Sequence, residues 1–170
     1  MENYENLKTY DGVEQFQLEH LTKDELLAYI HDKMESAVSD TDFIKGHIFK
    51  GDKLNVCEIG CGNGKLLYSM ELSGILSSAV GYEVSLSRSR MAHKFGEILG
   101  SDSVSIINKN FLVDTPNEIY DCIILVDIVF QMLSPLYDNA EKDTLEWICK
   151  HLISGGSMFS SNWKILMICY

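Results

Sequence analysis

Apolar residues along the chain follow first one period and then two in alternation. Between residues 22 and 36, Leu26, Leu27, Ile30 and Met34 fall on one face of a helix. Thr22 with Glu25 three residues later forms a capping box at its start. A polar break, SDTD, precedes a short second helical piece ending near Lys50, and the polar stretch KGDK leads into a strand at Leu54–Ile59.

From there strands and helices alternate. KLLYSMELSG reads as a helix stopped by Gly74, and SAVGYE as a second strand. Leu86 to Leu99 forms a helix that turns Met91, Phe95, Ile98 and Leu99 inward and stops at Gly100. SVSIIN is a third strand, and YDCIILVD a fourth, apolar enough to be buried on both faces. Leu145, Ile148, Leu152 and Ile153 mark the inner stripe of another helix, after which Gly155–Gly156 turns the chain into a fifth strand, SMFSS. This alternation is that of an α/β domain, a parallel sheet covered by helices on both faces.

Composition narrows the function classes. At 170 residues the chain suits one domain with a real core, and 46% hydrophobic content is ordinary for a globular protein. Fourteen basic against 25 acidic residues leave a formal charge of −11, which works against a phosphate-backbone partner. Arg88, Arg90 and Lys94 are the one dense basic cluster, and their helical spacing reads as a solvated face. No apolar run approaches the roughly 20 residues of a membrane-spanning helix. The start, MENYENLKTYDG, is polar and acidic, unlike a secretory signal. The five cysteines form no CxxC pair. Cys57, Cys61 and Cys122 lie in or beside core strands and read as small buried hydrophobes rather than metal ligands or disulfides, pointing to a reducing cytoplasm.

The chemistry concentrates in VCEIGCGNGKLL, residues 56–67, where Glu58 stands two residues ahead of Gly60, Gly62 and Gly64. In α/β sheets ligands bind beyond the carboxyl ends of the strands. A glycine loop there lets bare backbone approach a ligand, and its N–H groups favour an electron-rich group. Dinucleotide sites space the glycines G-x-G-x-x-G. Here the spacing is G-x-G-x-G, and a preceding carboxylate would repel a pyrophosphate while suiting cationic groups. Glu83, closing the second strand, is placed to accept from two ribose hydroxyls.

VCEIGCGNG followed by AVGYEVS resembles the class I S-adenosylmethionine-dependent methyltransferase family over roughly residues 53–161. The resemblance implies a Rossmann-like, doubly wound, mostly parallel sheet of strand order 3-2-1-4-5. It implies an N-terminal helical lid over residues 1–52 and a cofactor domain from 53 to 170. Glu58 would face the methionine end of S-adenosylmethionine, often through water. The backbone at Gly60, Cys61, Gly62 and Gly64 would approach its amino-acid and ribose portions. Glu83 would hold the ribose hydroxyls, and Val84 would pack on the adenine. Where the family usually places an Asp near the adenine amino group, this chain has Asn110 beside Phe111, with Asp114 as a second choice. Asp127 ends the fourth strand, where it meets the methionine part or substrate, or simply caps the next turn.

The chain's own residues select no general base. Asp127, Gln131 and Tyr137 follow the fourth strand and are the candidates for meeting substrate. His20 and His31 lie in the N-terminal segment and read first as surface residues. Tyr10 and Phe16 suit either a lid lining or satellite packing. DIVFQML lacks the Pro-Pro-aromatic loop of resembling amino-methyltransferases that act on bases or glutamine, and no Pro-Cys pair of the cytosine C5 type occurs. The acceptor expected is a small molecule or a protein side chain, not nucleic acid and not a membrane.

One departure from the family stands at the end. Its sheet normally has seven strands, the last two a hairpin beside the fifth, whereas this sequence stops about ten residues after SMFSS, so the hairpin is missing or incomplete. A fifth strand left unpaired is an edge that invites pairing. The apolar tail (Trp163, Ile165, Leu166, Met167, Ile168 and Tyr170) belongs with it. A truncated or split chain, a tail that completes the sheet alone, and a partner in a homo- or hetero-oligomer all fit. A methyltransferase is therefore one reading. A degenerate or split cofactor-binding module that needs a partner is the other, and a nicotinamide oxidoreductase is a distant third.

Overall fold

A computed structural model describes residues 8–114, 116–126, 139–160 and 165–168, excluding the side chains of 8–13, 140 and 165–168. Three helices come first: α1 (Lys8–His20), α2 (Lys23–Glu35) and α3 (Val38–His47). They are followed by β1 (Leu54–Ile59), α4 (Lys65–Leu72), β2 (Leu76–Tyr82), α5 (Leu86–Leu99) and β3 (Val104–Ile107). A 3₁₀ turn at Phe111–Val113 leads to β4 (Tyr120–Leu125), α6 (Ala140–His151), β5 (Leu152–Ser160) and β6 (Ile165–Ile168).

Among the described residues the strands form one sheet in the order β3-β2-β1-β4-β5-β6. The first five run parallel, with the expected 3-2-1-4-5 order and with β1 at the centre. All but one residue of β1 is buried, as a strand covered on both faces requires. Alternate residues feed two layers. Val56, Ala79, Cys122, Ile124 and Phe159 pack under α3 and α4. Cys57, Ile59, Ile123 and Leu125 pack with Tyr82, Phe111, Trp147 and Ile148 on the opposite face. A third cluster joins Leu26, Ile30 and Met34 of α2 to Tyr68, Met91 and Phe95, so the N-terminal helices share a core with α4 and α5. Ile30, Met91 and Phe95 are wholly buried, each worth about 1.5–3 kcal/mol of apolar transfer.

Four differences from the sequence reading have physical causes. Helix α1 was not anticipated, because its inward face carries a buried Glu14 where an apolar residue would have completed the stripe. Leu27 and Leu145, placed on inner faces, are 37% and 39% exposed. The real inner stripe of α6 is Thr144, Trp147, Ile148 and His151, two of them polar and thus hidden from a hydrophobic count. Leu152 and Ile153 open β5 instead of closing α6. β5 pairs first through Tyr120↔Leu152 and resumes at Cys122↔Ser157, with Gly155–Gly156 in the excursion between.

Of the alternatives left open for the fifth strand's edge, the structure shows the tail pairing on it within this chain. β6 pairs antiparallel with β5 from Ser157↔Ile168 to Ser160↔Ile165, so one strand of the tail lies where the sequence reading left a bare edge. Trp163 and Tyr170 lie outside the described residues. The capping box at Thr22 is formed: its backbone N–H donates to Glu25 Oε2 at 2.8 Å. Cys57, Cys61, Cys122 and Cys149 are free thiols, the first three buried as expected. Among the described residues no helix is long and apolar enough to cross a membrane.

Candidate functional site

The carboxyl ends of β1 and β2 lie side by side, Glu58 opposite Gly81 and Ile59 opposite Tyr82. Beyond them the chain turns through Gly60, Gly62 and Gly64 at φ of 71°, 57° and 77°, a left-handed path that side chains disfavour. At Gly64 there is a second reason for glycine. A Cβ there would stand 2.7 Å from Tyr68 Cε2, in a ring held by the bond its hydroxyl donates to the Ala92 carbonyl.

The amides of Gly60, Cys61, Gly62, Gly64 and Lys65 are bonded within the fold, which narrows the expectation of an electron-rich group cradled by N–H donors. Gly60 and Cys61 both donate to the Tyr82 carbonyl, at 2.7 and 3.0 Å. Gly62 donates to Glu83 Oε2 at 2.9 Å, Gly64 to the Cys61 carbonyl at 2.9 Å, and Lys65 to Asn63 Oδ1 at 3.3 Å. With those donors occupied and two buried carboxylates adjacent, the loop suits a ligand that brings hydroxyls and positive charge rather than a pyrophosphate.

Glu83 is 5% exposed, and its second oxygen accepts the Ser85 amide at 2.7 Å. An ionised carboxylate has about four lone-pair sites, so each oxygen keeps one for a hydroxyl donor. Glu83 is held from behind by Asn108, whose Nδ2 donates to the Glu83 and Val84 carbonyls at 2.8 and 3.2 Å. Val84 itself is 41% exposed, an apolar side chain left open at this turn.

Glu58 is 3% exposed, and its Oε2 has no hydrogen-bond partner. Burial pushes its pKa up to about 8, with Lys65 opposing and Glu83 and Asp40 adding to the rise. A cation arriving beside it would offset the cost of burial and favour the charged form. An orphaned buried acceptor, a carboxylate with spare lone pairs and an exposed apolar residue fit a ligand that combines a cationic amino-acid end, a ribose and a flat base.

The other sequence candidates divide. Cys61 is turned away: its thiol packs against β2, where a Cβ on Gly81 would meet Sγ at 2.6 Å, so Cys61 offers only backbone. Asn110 caps the 3₁₀ turn, its Oδ1 accepting the Leu112 amide at 3.0 Å. Phe111 is 5% exposed, and its ring meets Trp147 edge-on at 5.3 Å, in the core rather than at a ligand surface. Asp114, the second choice for the adenine, instead accepts from the Tyr82 hydroxyl at 3.1 Å and pairs with Lys109 at 3.5 Å. His20 stacks on the exposed Phe16 and His31 is exposed, both as surface residues. Asp127, Gln131 and Tyr137 lie outside the described residues, as does the side chain of Tyr10.

The sequence reading missed Gly81, Asn63, Asn108 and Glu14. Gly81 carried a signal, a glycine inside a strand pattern. Asn108 carried one too: Ile107 pairs with Tyr82, so the next residue of each strand must meet. A separate cleft of about 530 Å³, lined by Asn110, Leu112, Trp147 and His151 among others, includes no residue of the glycine loop.

Comparison with known proteins places this geometry. A family model described as a methyltransferase domain matches residues 22–165. No curated protein sequence matches the chain. The N-methyltransferase NodS of Bradyrhizobium japonicum WM9 superposes with a TM-score of 0.59 at 14% identity, over 74% of this chain and 65% of its own. CalS10, an amino pentose methyltransferase of Micromonospora echinaspora solved with S-adenosylmethionine, gives 0.59 at 14% identity over 83% of this chain and 56% of its own. A methyltransferase of Thiobacillus denitrificans in complex with S-adenosylhomocysteine gives 0.59 at 16%, over 74% and 47%. The chain thus spans less than two thirds of the length of each.

Proposed function

The chain belongs to the methyltransferase-domain family, and from that premise we propose that it binds S-adenosylmethionine beyond β1 and β2 and transfers its methyl group to a small molecule. The observation that carries this reading is the placing of Glu58 and Glu83 around a glycine loop in which the N–H groups of Gly60, Cys61, Gly62 and Gly64 are already engaged. Such a loop repels phosphate and receives a cationic, hydroxylated ligand.

In this reading Glu58 faces the methionine end, and the backbone at Gly60, Gly62 and Gly64 lies along the amino acid and ribose. Glu83 holds the ribose hydroxyls, and Val84 packs on the base with Asn110 near its edge. The bound cofactor supplies a methyl group already activated on a positively charged sulfur. What the chain adds is position: two buried carboxylates and a fixed turn hold the reactive end still, and orientation of this kind accounts for several kcal/mol of a transfer barrier. Asp127, Gln131 and Tyr137 stay the candidates for meeting the acceptor. Similarity to an N-methyltransferase and an amino pentose methyltransferase makes small amines the first acceptors to try. Pairing of β6 along β5 covers the edge of the fifth strand and so lends the partner-dependent alternative less support.

The test is incubation of the purified chain with S-adenosylmethionine carrying a labelled methyl group and a panel of small amines and hydroxyl compounds. Acceptor-dependent formation of S-adenosylhomocysteine, absent in Glu83→Ala, supports the reading. Binding of S-adenosylhomocysteine without turnover of any acceptor would leave a cofactor-binding module in its place.

A further inference from the structure

Glu14 lies outside the glycine motif and on another element, yet it reaches the loop. It is 9% exposed, and its Oε1 accepts from Asn63 Nδ2 at 3.4 Å. Asn63, 8% exposed, stands between Gly62 and Gly64, and its Oδ1 takes the amide of Lys65, the first residue of α4. One amide side chain thus fixes the turn into α4 with its oxygen and is held by α1 through its nitrogen. The second oxygen of Glu14 is buried without a partner. Arg88 of α5 attracts this carboxyl, Glu83 repels it, and Lys33 of α2 adds a weaker attraction. Tyr29 of α2 faces the same pair, interacting with Glu14 and Asn63 alike.

A buried carboxyl with one oxygen unpaired is a poor anchor for a helix, because a polar atom taken from water without a partner works against docking. An apolar residue would dock α1 better. Violations of that kind are expected where a residue serves a site.

We propose that Glu14 is a positioning residue of the cofactor site: acting through Asn63, it sets the Gly62–Gly64 turn and hence the Gly62 amide that Glu83 grips. This rests on the proposed function. It predicts that the role depends on an acceptor oxygen at position 14 and not on the volume that fills it.

The experiment titrates S-adenosylhomocysteine into the wild-type chain and into Glu14→Gln, Glu14→Met, Glu14→Ala, Asn63→Ala, the double Glu14→Ala/Asn63→Ala, and Glu83→Ala as the site control. Thermal midpoints are read in parallel. Glu14→Met, Glu14→Ala and Asn63→Ala should each weaken binding about tenfold, the worth of one hydrogen bond. The double variant should lose no more than either single one. Glu14→Gln, which still accepts from Asn63, should stay within about threefold of wild type. Glu14→Met should keep or raise the thermal midpoint while binding poorly, a split that a packing role would not produce. Wild-type affinity in Glu14→Met, or losses that multiply in the double variant, would overturn the proposal. Failure of the wild-type chain to bind would overturn the cofactor reading first, and this inference with it.

Discussion

The carboxylate of Glu83 accepts the amide of Gly62 at 2.9 Å, joining the end of the second strand to the middle of the glycine loop. Its other oxygen accepts Ser85, so one buried side chain organises the turns after both β1 and β2. The bond explains why an acid closes the second strand even before any ligand is considered. It also gives the residue a structural role beside the ligand contact proposed for it.

Glu83→Ala should therefore lower stability as well as binding. Two amides, that of Ser85 buried and that of Gly62 partly so, lose their acceptor, a cost of about 2–6 kcal/mol at 1–3 per unmade bond. Glu83→Gln should lie between, since its amide offers one oxygen and opposes a donor to the second N–H. Urea denaturation of the three proteins checks the order. Equal midpoints would mean that the Gly62 and Ser85 bonds contribute nothing.

Glu58 gives a pH signature. Burial raises its folded pKa to about 8 from the ordinary carboxylate range, so between those values the folded state binds the extra proton. Stability from this group is full at acid pH and falls as pH rises towards 8, levelling above it. Buried Glu14 is shifted in the same direction, by burial first. Glu58→Gln should flatten the decline and be more stable than wild type at pH 8, as measured by denaturation at fixed pH steps. If a cationic ligand end sits beside Glu58, binding near pH 7 should also release protons, visible as a buffer-dependent binding enthalpy. An unchanged slope in the variant would show that Glu58 does not titrate in this range.

Gly62 and Gly64 share a left-handed backbone but differ in surroundings. Nothing lies within 4 Å of a Cβ built on Gly62, whereas Gly64 meets the fixed ring of Tyr68. Gly62→Ala should cost about 1–2 kcal/mol, the left-handed penalty alone. Gly64→Ala should cost about 1–3 kcal/mol more, from overpacking. Thermal unfolding of the pair reads the difference, and equal losses would mean that Tyr68 yields.

Asn108 and Asp114 should separate ligand positioning from frame. Asn108→Ala frees the Glu83 and Val84 carbonyls and should weaken S-adenosylhomocysteine binding several-fold, with a stability loss of about 1 kcal/mol. Asp114→Ala removes the acceptor of the Tyr82 hydroxyl and should cost about 1–2 kcal/mol while leaving affinity unchanged. Calorimetry with both variants decides. A binding defect confined to Asp114→Ala would reinstate it as the adenine residue.

Much of this was legible in the order of residues, and unevenly so. β1 and α5 have the bounds their patterns gave, because an apolar strand ending in glycines and a helix framed by Ser85 and Gly100 leave little freedom. That Glu58, the three glycines and Glu83 would come together at the ends of β1 and β2 was legible because the pattern that places them is local. What stayed hidden depends on distant neighbours. Glu14 interrupts the stripe of α1 and acquires meaning only beside Asn63. Phe111 looked ligand-facing until Trp147, more than thirty positions on, claimed its ring. Asp114 was a free carboxylate in the sequence and a partner of Tyr82 in the fold. The orientation of the loop amides, which decides between phosphate and cation, is backbone geometry that no residue type announces.

The most direct test of the cofactor site is calorimetric titration of the purified chain with S-adenosylhomocysteine, with NADH and Glu83→Ala as controls. Saturable one-to-one binding, lost in Glu83→Ala and absent for NADH, is the predicted result. A folded chain that ignores S-adenosylhomocysteine, or that binds NADH equally well, would contradict the assignment of the Glu58–Glu83 loop to this cofactor.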